Sequence, residues 1–370
     1  MKSGFKILDS DMHLREPADL WDRYMEPEWR EHGPKILSST ARSSAMVLLE
    51  GKILKGYEPA YRGGIYDATR IDKEIAEYRA QGFDAKTQLK AMDREGLDVA
   101  ALNPSIGLGI MMRNEINPKL AAAIARAYNT WLFDFCQADP KRLKGVAMLP
   151  LHDPGEAAKE AQRCVGKLGF VGVFARPEPL HDLPWHSRYF DTLWSCLEEL
   201  GVPIGFHSAT AAGELPQIGD RFGGNLLLRH IVSHPLENMV AMVDTIGGGV
   251  CERHPRLKLA FLECYCGWVS FLLHRMDNSM AKGRFPTAGK LKPSEYFRRQ
   301  CWISTEHERE LPMVAQLLGD DRIVFSTDYP HGDSDFPEGV EEFLELDGVA
   351  RETKKKILWD NCAELYNLEA

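Results

Sequence analysis

The sequence predicts an α/β protein folded as a (β/α)8 barrel, on three observations. Eight short apolar segments are spread along the chain, helical patterns separate them, and no glycine-rich phosphate-binding turn follows the first segment. The segments are rich in Val, Ile, Leu, Phe or Ala, as expected of parallel strands that are covered on both faces. An open, doubly wound sheet is the alternative, and the lack of a phosphate-binding turn disfavours it. The predicted strands are 5–11, 97–103, 144–150, 170–176, 203–207, 257–263, 300–305 and 322–328.

Helical periodicity fills the intervals between these strands. In 116–136, apolar residues recur every three to four positions, which is the spacing of one helix face. Asp153-Pro154 is a helix start signal, and Gly169 and Gly201 are stop signals. Repeated alternation of strand and helix is typical of a TIM barrel. The predicted helices are 116–136, 155–168, 187–200, 225–247, 266–281, 308–319 and 351–366.

Residues 14–85 form a long insertion between the first strand and the helix that precedes the second. A hairpin is predicted within it, because 46–49 and 53–54 are apolar and flank a turn at 50–52. We expect this insertion to lie over the catalytic face as a lid on a single domain that spans 1–370. A disordered insertion is the alternative, and aromatic residues able to pack argue against it: Trp21, Tyr24, Trp29, Tyr57 and Tyr61.

Composition and charge narrow the class of protein. The 370 residues suffice for one large barrel, and a net charge of −9 without a basic block argues against nucleic-acid binding. No stretch approaches 18 consecutive apolar residues, and the N-terminus lacks a signal-peptide pattern, so we expect no membrane span. The eight cysteines are scattered without a CxxC motif, which is typical of reduced core thiols in a cytoplasmic protein.

Three predicted strands end in residues of the types that commonly bind metal ions. Asp11 and His13 close the first strand, His207 ends the fifth, and Asp328 ends the eighth. Active sites of (β/α)8 barrels lie at the C-terminal strand ends, and alternate residues of a strand point to one face. In a closed barrel the first and eighth strands are neighbours. The sequence therefore predicts one divalent metal ion bound by Asp11, His13, His207 and Asp328, with a coordination position left for a reactant.

The hardness of these ligands indicates which metal ions the site could bind. Two carboxylates and two imidazoles form a harder set than imidazoles alone, which makes Mn²⁺ an alternative to Zn²⁺. Each residue taken singly also has a simpler interpretation. Asp11 could be a turn residue, His207 a core histidine, and Asp328 a cap of the following loop. Their joint placement at the ends of strands one, five and eight favours the metal site.

Seven motifs carry a family resemblance that covers nearly the whole chain. They are Asp9-Ser-Asp-Met-His13 with Glu16-Pro17, Arg126-Ala-Tyr-Asn129-x-Trp131, Phe206-His207-Ser208, His254-Pro-x-Leu-Lys258, Glu263-x3-Gly267-Trp268, Arg275-x-Asp277 and Ser326-Thr-Asp-Tyr-Pro-His331. Together they resemble the amidohydrolase-2 group of the amidohydrolase superfamily. That group contains the aminocarboxymuconate-semialdehyde decarboxylase and the benzoate-type nonoxidative decarboxylases.

The chain departs from the family pattern at three places. Asp11 stands where the family usually has the first histidine of His-x-His, as in some decarboxylases of the group. Glu263 stands near the place of a histidine at the end of the sixth strand. The fourth predicted strand, 170–176, lacks the bridging lysine of the superfamily, so a binuclear centre is not expected.

The resemblance implies a metal-dependent nonoxidative decarboxylase that acts on a small hydroxylated aromatic or related unsaturated carboxylic acid. Asp328 would then protonate the carbon that loses CO2, Arg176 would bind the substrate carboxylate, and Asn103 would orient the substrate. A metal-dependent hydrolase of an amide, ester or lactone is the alternative. There Asp328 would deprotonate water, while Glu263 and His331 would orient the leaving group or a ligand histidine.

Several interpretations stay open at this point. Arg176 could belong to a structural ion pair, Asn103 to a turn, and His331 and His234 could be structural. A barrel that lost its activity and serves as a binding protein is the third possible function. The resemblance also implies a homodimer or higher homo-oligomer that acts on a small-molecule substrate.

Overall fold

The computed structural model describes residues 1–38, 46–54, 73–209, 217–284, 288–331 and 334–369. Eight of its strands are parallel and follow one another in sequence order round a barrel, and three others form a small antiparallel sheet. The predicted (β/α)8 fold is thereby confirmed. The barrel strands are β1 (Leu8–His13), β5 (Val99–Asn103), β6 (Leu143–Met148), β7 (Gly172–Ala175), β8 (Pro203–His207), β9 (Lys258–Leu262), β10 (Cys301–Thr305) and β11 (Ile323–Phe325); those of the small sheet are β2 (Lys35–Ser38), β3 (Met46–Leu49) and β4 (Lys52–Leu54).

The barrel closes along β1 and the segment that follows β11. The Ser10 hydroxyl donates to the carbonyl of Phe325 at 2.7 Å. Beyond the end of β11, the Asp328 amide donates to the Asp11 carbonyl at 3.1 Å, and the His13 amide donates to the Tyr329 carbonyl at 2.7 Å. These bonds bring the two ends of the sequence together at the C-terminal end of the barrel.

Two strands, β1 and β11, differ most from their predicted bounds. β1 begins at Leu8 and runs through His13, so Asp11 and His13 belong to the strand itself, with an irregularity between Asp9 and Met12. β11 ends at Phe325, three residues before Asp328. Asp328 has a φ of 55°, a left-handed conformation that cannot continue an extended strand.

Helices lie in every interval between consecutive barrel strands and after β11. The interval between β9 and β10 holds two of them, where the sequence predicts one. Two stretches of π-helix, Val243–Gly247 and Lys356–Asp360, continue α8 and join α14 to α15. The helices are α1 (Leu20–Tyr24), α2 (Lys73–Ala80), α3 (Ala85–Glu95), α4 (Ile106–Ile110), α5 (Pro118–Cys136), α6 (Pro154–Leu168), α7 (Asp191–Leu200), α8 (Leu226–Met242), α9 (Val250–Arg253), α10 (Val269–Ala281), α11 (Pro293–Gln300), α12 (Leu311–Leu318), α13 (Gly339–Glu345), α14 (Arg351–Lys355) and α15 (Asn361–Tyr366).

Capping residues explain why α6 begins and ends where the sequence predicts. The Asp153 carboxylate accepts hydrogen bonds from the amides of Gly155 at 2.8 Å and Glu156 at 3.2 Å, which satisfies donors that the helix itself cannot pair. Pro154 occupies the first turn. Gly169 ends the helix with a φ of 71°, which a residue with a side chain rarely adopts.

The insertion contains the predicted hairpin. Strands β3 and β4 pair antiparallel across a turn in which Glu50 and Gly51 have φ values of 49° and 75°. Val47 and Leu49 are buried, so the hairpin packs against the protein core. The predicted packing residues Tyr57 and Tyr61 lie outside the described residues, and the lid stays a prediction.

Two further predictions concern membrane-spanning helices and the state of the cysteines. Within the ranges that the structure describes, no helix combines the length and the apolar character needed to cross a bilayer. All eight cysteines are buried and free, as expected of core thiols.

Candidate metal centre

Five buried or nearly buried side chains converge at the C-terminal end of the barrel. Asp11 lies within β1 and His13 ends it, while His207 ends β8. Glu263 directly follows β9, and Asp328 lies in the segment after β11. The structure thus brings together the four residues predicted as metal ligands and adds Glu263 to them. Their roles as ligands remain a prediction.

The two imidazoles turn the same ring nitrogen toward each other. His13 Nδ1 lies 2.9 Å from the Pro104 carbonyl, and His207 Nδ1 lies 2.7 Å from the Ser208 carbonyl. A carbonyl oxygen only accepts hydrogen bonds, so each Nδ1 is the protonated donor. In the neutral rings both Nε2 atoms then present lone pairs, and these atoms are 2.7 Å apart. Two lone pairs at that distance require a positive charge against them, either a proton or a metal ion.

Three carboxylates surround the two Nε2 atoms. Asp11 approaches both, with Oδ1 3.4 Å from His13 Nε2 and Oδ2 3.2 Å from His207 Nε2. Asp328 Oδ1 is 3.3 Å from His13 Nε2, and Glu263 Oε2 is 3.1 Å from His207 Nε2. One potential ligand atom from each of His13, His207, Glu263 and Asp328 lies within 4.8 Å of the others. Asp11 Oδ2 is buried without a hydrogen-bond partner among the residues described.

The electrostatics of this cluster favour a cation. Burial alone would raise the pKa of Asp11, but His207 and His13 together hold it below its ordinary value. Burial alone would lower the pKa of His207, but the charges of Asp11 and Glu263 raise it to about 9. The donor set, two imidazole nitrogens and several carboxylate oxygens, therefore fits a divalent ion such as Mn²⁺ or Zn²⁺.

The backbone around the cluster is held in uncommon conformations. Glu263 and Asp328 have left-handed φ values of 47° and 55°, which are rare for residues other than glycine. Asp9 anchors two segments, because its Oδ1 accepts the amides of Asp11 at 3.0 Å and Thr327 at 3.2 Å. These contacts fix where the two aspartates of the cluster lie relative to each other.

His331 contacts Asp328 beside the imidazole pair. Its Nδ1 lies 2.7 Å from Asp328 Oδ1, its Nε2 lies 3.0 Å from the Ser105 hydroxyl, and its ring lies 4.2 Å from that of His13 between centroids. Burial and the neighbouring positive charges hold the pKa of His331 well below its ordinary value, so its ring is neutral. A neutral imidazole can pass a proton to or from the carboxyl group beside it.

His234 is a residue of this site whose role the sequence left open. Its Nδ1 lies 3.0 Å from Glu263 Oε1, and its ring lies 4.7 Å from that of His230 between centroids. Both histidines belong to α8, where a four-residue spacing places them on one helix face. The four-residue spacing of His230 and His234 inside a predicted helix is the feature of the sequence that could have indicated the role of His234.

Arg176 and Asn103 were predicted to contact the substrate, and in the structure both side chains contact carboxylates of the protein. The Arg176 guanidinium donates from Nε and Nη2 to the Glu178 carboxylate at 3.0 and 2.8 Å, and both side chains are buried. This geometry fits the structural ion pair. Arg176 Nη1 is nevertheless buried without a hydrogen-bond partner among the described residues, and the substrate-binding role of Arg176 stays a prediction. Asn103 Nδ2 donates to Asp11 Oδ1 at 2.8 Å, so Asn103 orients a carboxylate of the cluster.

Comparison with known proteins identifies the family. The family model described as Amidohydrolase matches residues 9–368. The chain belongs to the amidohydrolase family. One curated relative is the gamma-resorcylate decarboxylase of Rhizobium radiobacter, which is 30% identical over 300 residues that cover 76% of this chain and 87% of that protein. The resemblance seen in the sequence is thereby confirmed.

Solved structures of other proteins share the fold. Amidohydrolase map2389c from Mycobacterium avium subsp. paratuberculosis K-10 is 24% identical with a TM-score of 0.77, covering 98% of this chain and 99% of that one. The dihydroxybenzoic acid decarboxylase from Polaromonas sp. JS666, solved with bound manganese and the inhibitor 2-nitroresorcinol, is 20% identical with a TM-score of 0.68. The match covers 98% of this chain and 97% of that one.

Proposed function

We propose that this chain is a metal-dependent nonoxidative decarboxylase, a carboxy-lyase that acts on small hydroxylated aromatic carboxylic acids. The observation that carries the proposal is the pair formed by Asp328 and His331, which lie 2.7 Å apart at the edge of the imidazole pair. It places a proton-carrying group directly beside a cation site. The decarboxylase relatives supply the substrate class.

A divalent metal would be held by Asp11, His13, His207 and Asp328, with the Glu263 carboxylate also within reach. When bound, Mn²⁺ or Zn²⁺ supplies Lewis-acid attraction for the oxygen atoms of the substrate. Asn103 fixes the orientation of Asp11, and the two backbone carbonyls at Pro104 and Ser208 fix the tautomers of the histidines.

The protein residues handle the proton. Asp328 in its acid form donates a proton to the ring carbon that carries the carboxylate. The bond between that carbon and the carboxylate then breaks, its electron pair returns to the ring, and CO2 leaves. The balance is one aromatic carboxylate and one proton giving one arene and one CO2. His331 and Ser105 form the hydrogen-bonded route by which the Asp328 carboxylate regains its proton.

Two assays on the same preparation distinguish this reaction from hydrolysis. Release of CO2 is measured from a panel of hydroxylated benzoic acids, including 2,6-dihydroxybenzoate, and cleavage is measured on esters, lactones and amides. We expect CO2 release that is abolished by chelation and restored by Mn²⁺ or Zn²⁺. Hydrolysis without any CO2 release would establish the hydrolase instead, and no turnover in either assay would favour a barrel that only binds.

We further propose that residues 14–85 act as a lid and that the protein is cytoplasmic. The hairpin supports the lid, because the Lys52 ammonium forms an ion pair with Glu115 in the segment between α4 and α5. That segment follows β5 and so belongs to the end of the barrel where the cluster lies. The eight free cysteines support a reducing compartment.

We also propose a homodimer or higher homo-oligomer. One face of α8 exposes Leu227 and Ile231, four residues apart and 67% and 56% exposed. Adjacent apolar side chains on a helix surface are typical of an interface. Light scattering coupled to size exclusion tests this proposal. A dimer is expected for the native chain, and Leu227→Glu with Ile231→Glu is expected to shift it to monomer, whereas a monomeric native chain would refute it.

A further inference from the structure

A narrow apolar cavity lies at the same end of the barrel as the cluster, on an arc that the cluster does not use. The cluster comes from β1, β8 and β9 and from the segment after β11. The cavity is formed by the segments that follow β5 and β6 and by the end of β7. Apart from the ion pair of Arg176 with Glu178, its walls are apolar: Met111, Met112, Leu149, Leu151, Phe174 and Leu180.

Strand register places this cavity inside the mouth of the barrel. Ala175 of β7 lies opposite Phe206 of β8, so the next residue, Arg176, is level with His207. The side chain of His207 faces the cluster inside the barrel, and residues of neighbouring strands at one level point the same way. Arg176 and, two residues earlier, Phe174 therefore also point inward. The cavity that they line lies beside the end of the strand that carries His207.

One nitrogen of the Arg176 guanidinium is left for a ligand. Nε and Nη2 donate to the Glu178 carboxylate at 3.0 and 2.8 Å, and Nη2 also donates to the Ala209 carbonyl at 3.1 Å. The Gln217 amide holds the same two partners, donating to Glu178 and, at 2.8 Å, to the Ala209 carbonyl. Nη1 has no hydrogen-bond partner among the described residues, and the side chain is 4% exposed. A buried donor is costly to leave unpaired, so an acceptor in the cavity would stabilise it.

The charges around the cavity favour a neutral acceptor over an anion. Arg176 and Glu178 carry opposite charges, both are buried, and together they contribute no net charge. A carboxylate beside Nη1 would lose its hydration among apolar walls, and Glu178 would repel it. A carbonyl or ether oxygen needs only the hydrogen bond. The cavity therefore fits an apolar group that bears one neutral oxygen, as in ligand pockets with apolar walls and a few polar groups.

We propose that this cavity binds a ring substituent of the substrate, an apolar group with one neutral oxygen, and that Arg176 Nη1 donates to that oxygen. The inference rests on the proposed function for the orientation of the ring. Asp328 follows the eighth strand in the order of the barrel and Arg176 follows the fourth, so the two lie on opposite sides of its mouth. A ring whose carboxylate-bearing carbon faces Asp328 therefore directs its para position toward the cavity.

Calorimetric titration of the Mn²⁺-loaded protein with three 2-nitrophenols tests the proposal. The nitro group replaces the carboxylate, so none of the probes can lose CO2. 5-Acetyl-2-nitrophenol carries a carbonyl oxygen on the substituent para to the nitro group, 5-isopropyl-2-nitrophenol has a methyl group in place of that oxygen, and 2-nitrophenol lacks the substituent. We expect the native protein to bind the acetyl probe about 10-fold more tightly than the isopropyl probe, because a charged donor meets the oxygen. Equal affinities for these two probes would overturn the proposal.

Two variants assign this preference to the cavity. Arg176→Met combined with Glu178→Gln removes the donor and its counter-charge together, so no unpaired charge stays buried, and the acetyl preference should fall below about 2-fold. Leu151→Phe narrows the cavity and keeps the ion pair. It should weaken both substituted probes about 10-fold and change 2-nitrophenol by less than about 2-fold. An acetyl preference that survives the double variant, or equal weakening of all three probes by Leu151→Phe, would contradict the assignment.

The controls separate this inference from folding and from the proposed function. Arg163→Met combined with Glu160→Gln is the matched control, because Arg163 donates to Glu160 through the same two nitrogens, at 2.9 and 2.7 Å, on α6. It should leave all three affinities unchanged. CO2 release from hydroxylated benzoates is measured separately. A native chain that releases CO2 but binds the acetyl and isopropyl probes equally refutes only the role of the cavity. A native chain without CO2 release, whose acetyl preference is lost only in the cavity variants, refutes only the decarboxylase.

Discussion

The ring nitrogens of His13 and His207 that point away from the cluster determine which nitrogens face it. Each Nδ1 donates to a backbone carbonyl, so each Nε2 is fixed as the nitrogen that faces the cluster. Neither carbonyl could be assigned from the sequence, because Pro104 follows a different strand and Ser208 is a neighbour whose carbonyl direction depends on the local turn. The sequence could predict which residues meet, but not the tautomers that make them ligands.

The proton on His207 predicts a pH dependence of metal binding. With a pKa of about 9 in the metal-free protein, His207 is protonated at neutral pH, so metal binding must displace that proton. The apparent affinity for Mn²⁺ should therefore rise about tenfold per pH unit between pH 6.5 and 8.5 and level off near pH 9. Electron paramagnetic resonance of free Mn²⁺ measures it. An affinity that is constant over this range would contradict the assignment.

Asp328 should be replaceable as a ligand but not as an acid. We expect Asp328→Asn to retain most of the metal and to lose about 10²- to 10⁴-fold in turnover, because the amide has no acidic proton to transfer to carbon. Metal analysis and steady-state CO2 release measure the two effects. Asp335→Asn is the matched control, since Asp335 belongs to the same loop but lies against His307. A rate near that of the native chain would assign the proton transfer to another residue.

At the scale of elements, local signals set the helices, and tertiary contacts set the ends of two strands. The start of α6 is encoded by Asp153 and Pro154, which act within one turn. The end of β11 is not encoded locally, because Asp328 leaves the extended conformation where its amide bonds to β1. His234 is a similar case. Its contact with Glu263 depends on how α8 packs beside the end of β9.

The capping of α6 predicts a stability change that leaves the site intact. Asp153→Ala removes the acceptor for two amides and should lower the free energy of unfolding by about 1 kcal/mol. Chemical denaturation measures this change, and metal content should be unaffected. Asp153→Asn is the control, because asparagine also caps helices and should cost much less. Equal destabilisation by both variants would indicate that charge, rather than the cap, matters.

At the scale of the molecule, the alternation of strands and helices was sufficient to predict the barrel. The strand at Lys35–Ser38 was not predicted, because a short edge strand in an insertion has little periodicity. Single-domain organisation and the lid remain predictions.

Metal removal should destabilise the whole barrel. Mn²⁺ at 100 times its dissociation constant should stabilise the folded protein by about 2.7 kcal/mol, because the unfolded chain lacks the assembled site. Calorimetry with and without chelator measures the corresponding shift in melting temperature. His207→Ala should show a much smaller shift, since it removes a central ligand. An identical shift in that variant would place the stabilising ion elsewhere.

The hydrogen bonds that close the barrel have a consequence for biosynthesis. Asp328 and Tyr329 bond to the backbone of β1, so the side-chain cluster is complete only after the ribosome has added the segment that follows β11. Asp11 and His13 are therefore synthesised well before Asp328, which lies more than 300 residues later in the sequence. We therefore expect metal loading to be a late step of maturation that follows synthesis of the segment containing Asp328.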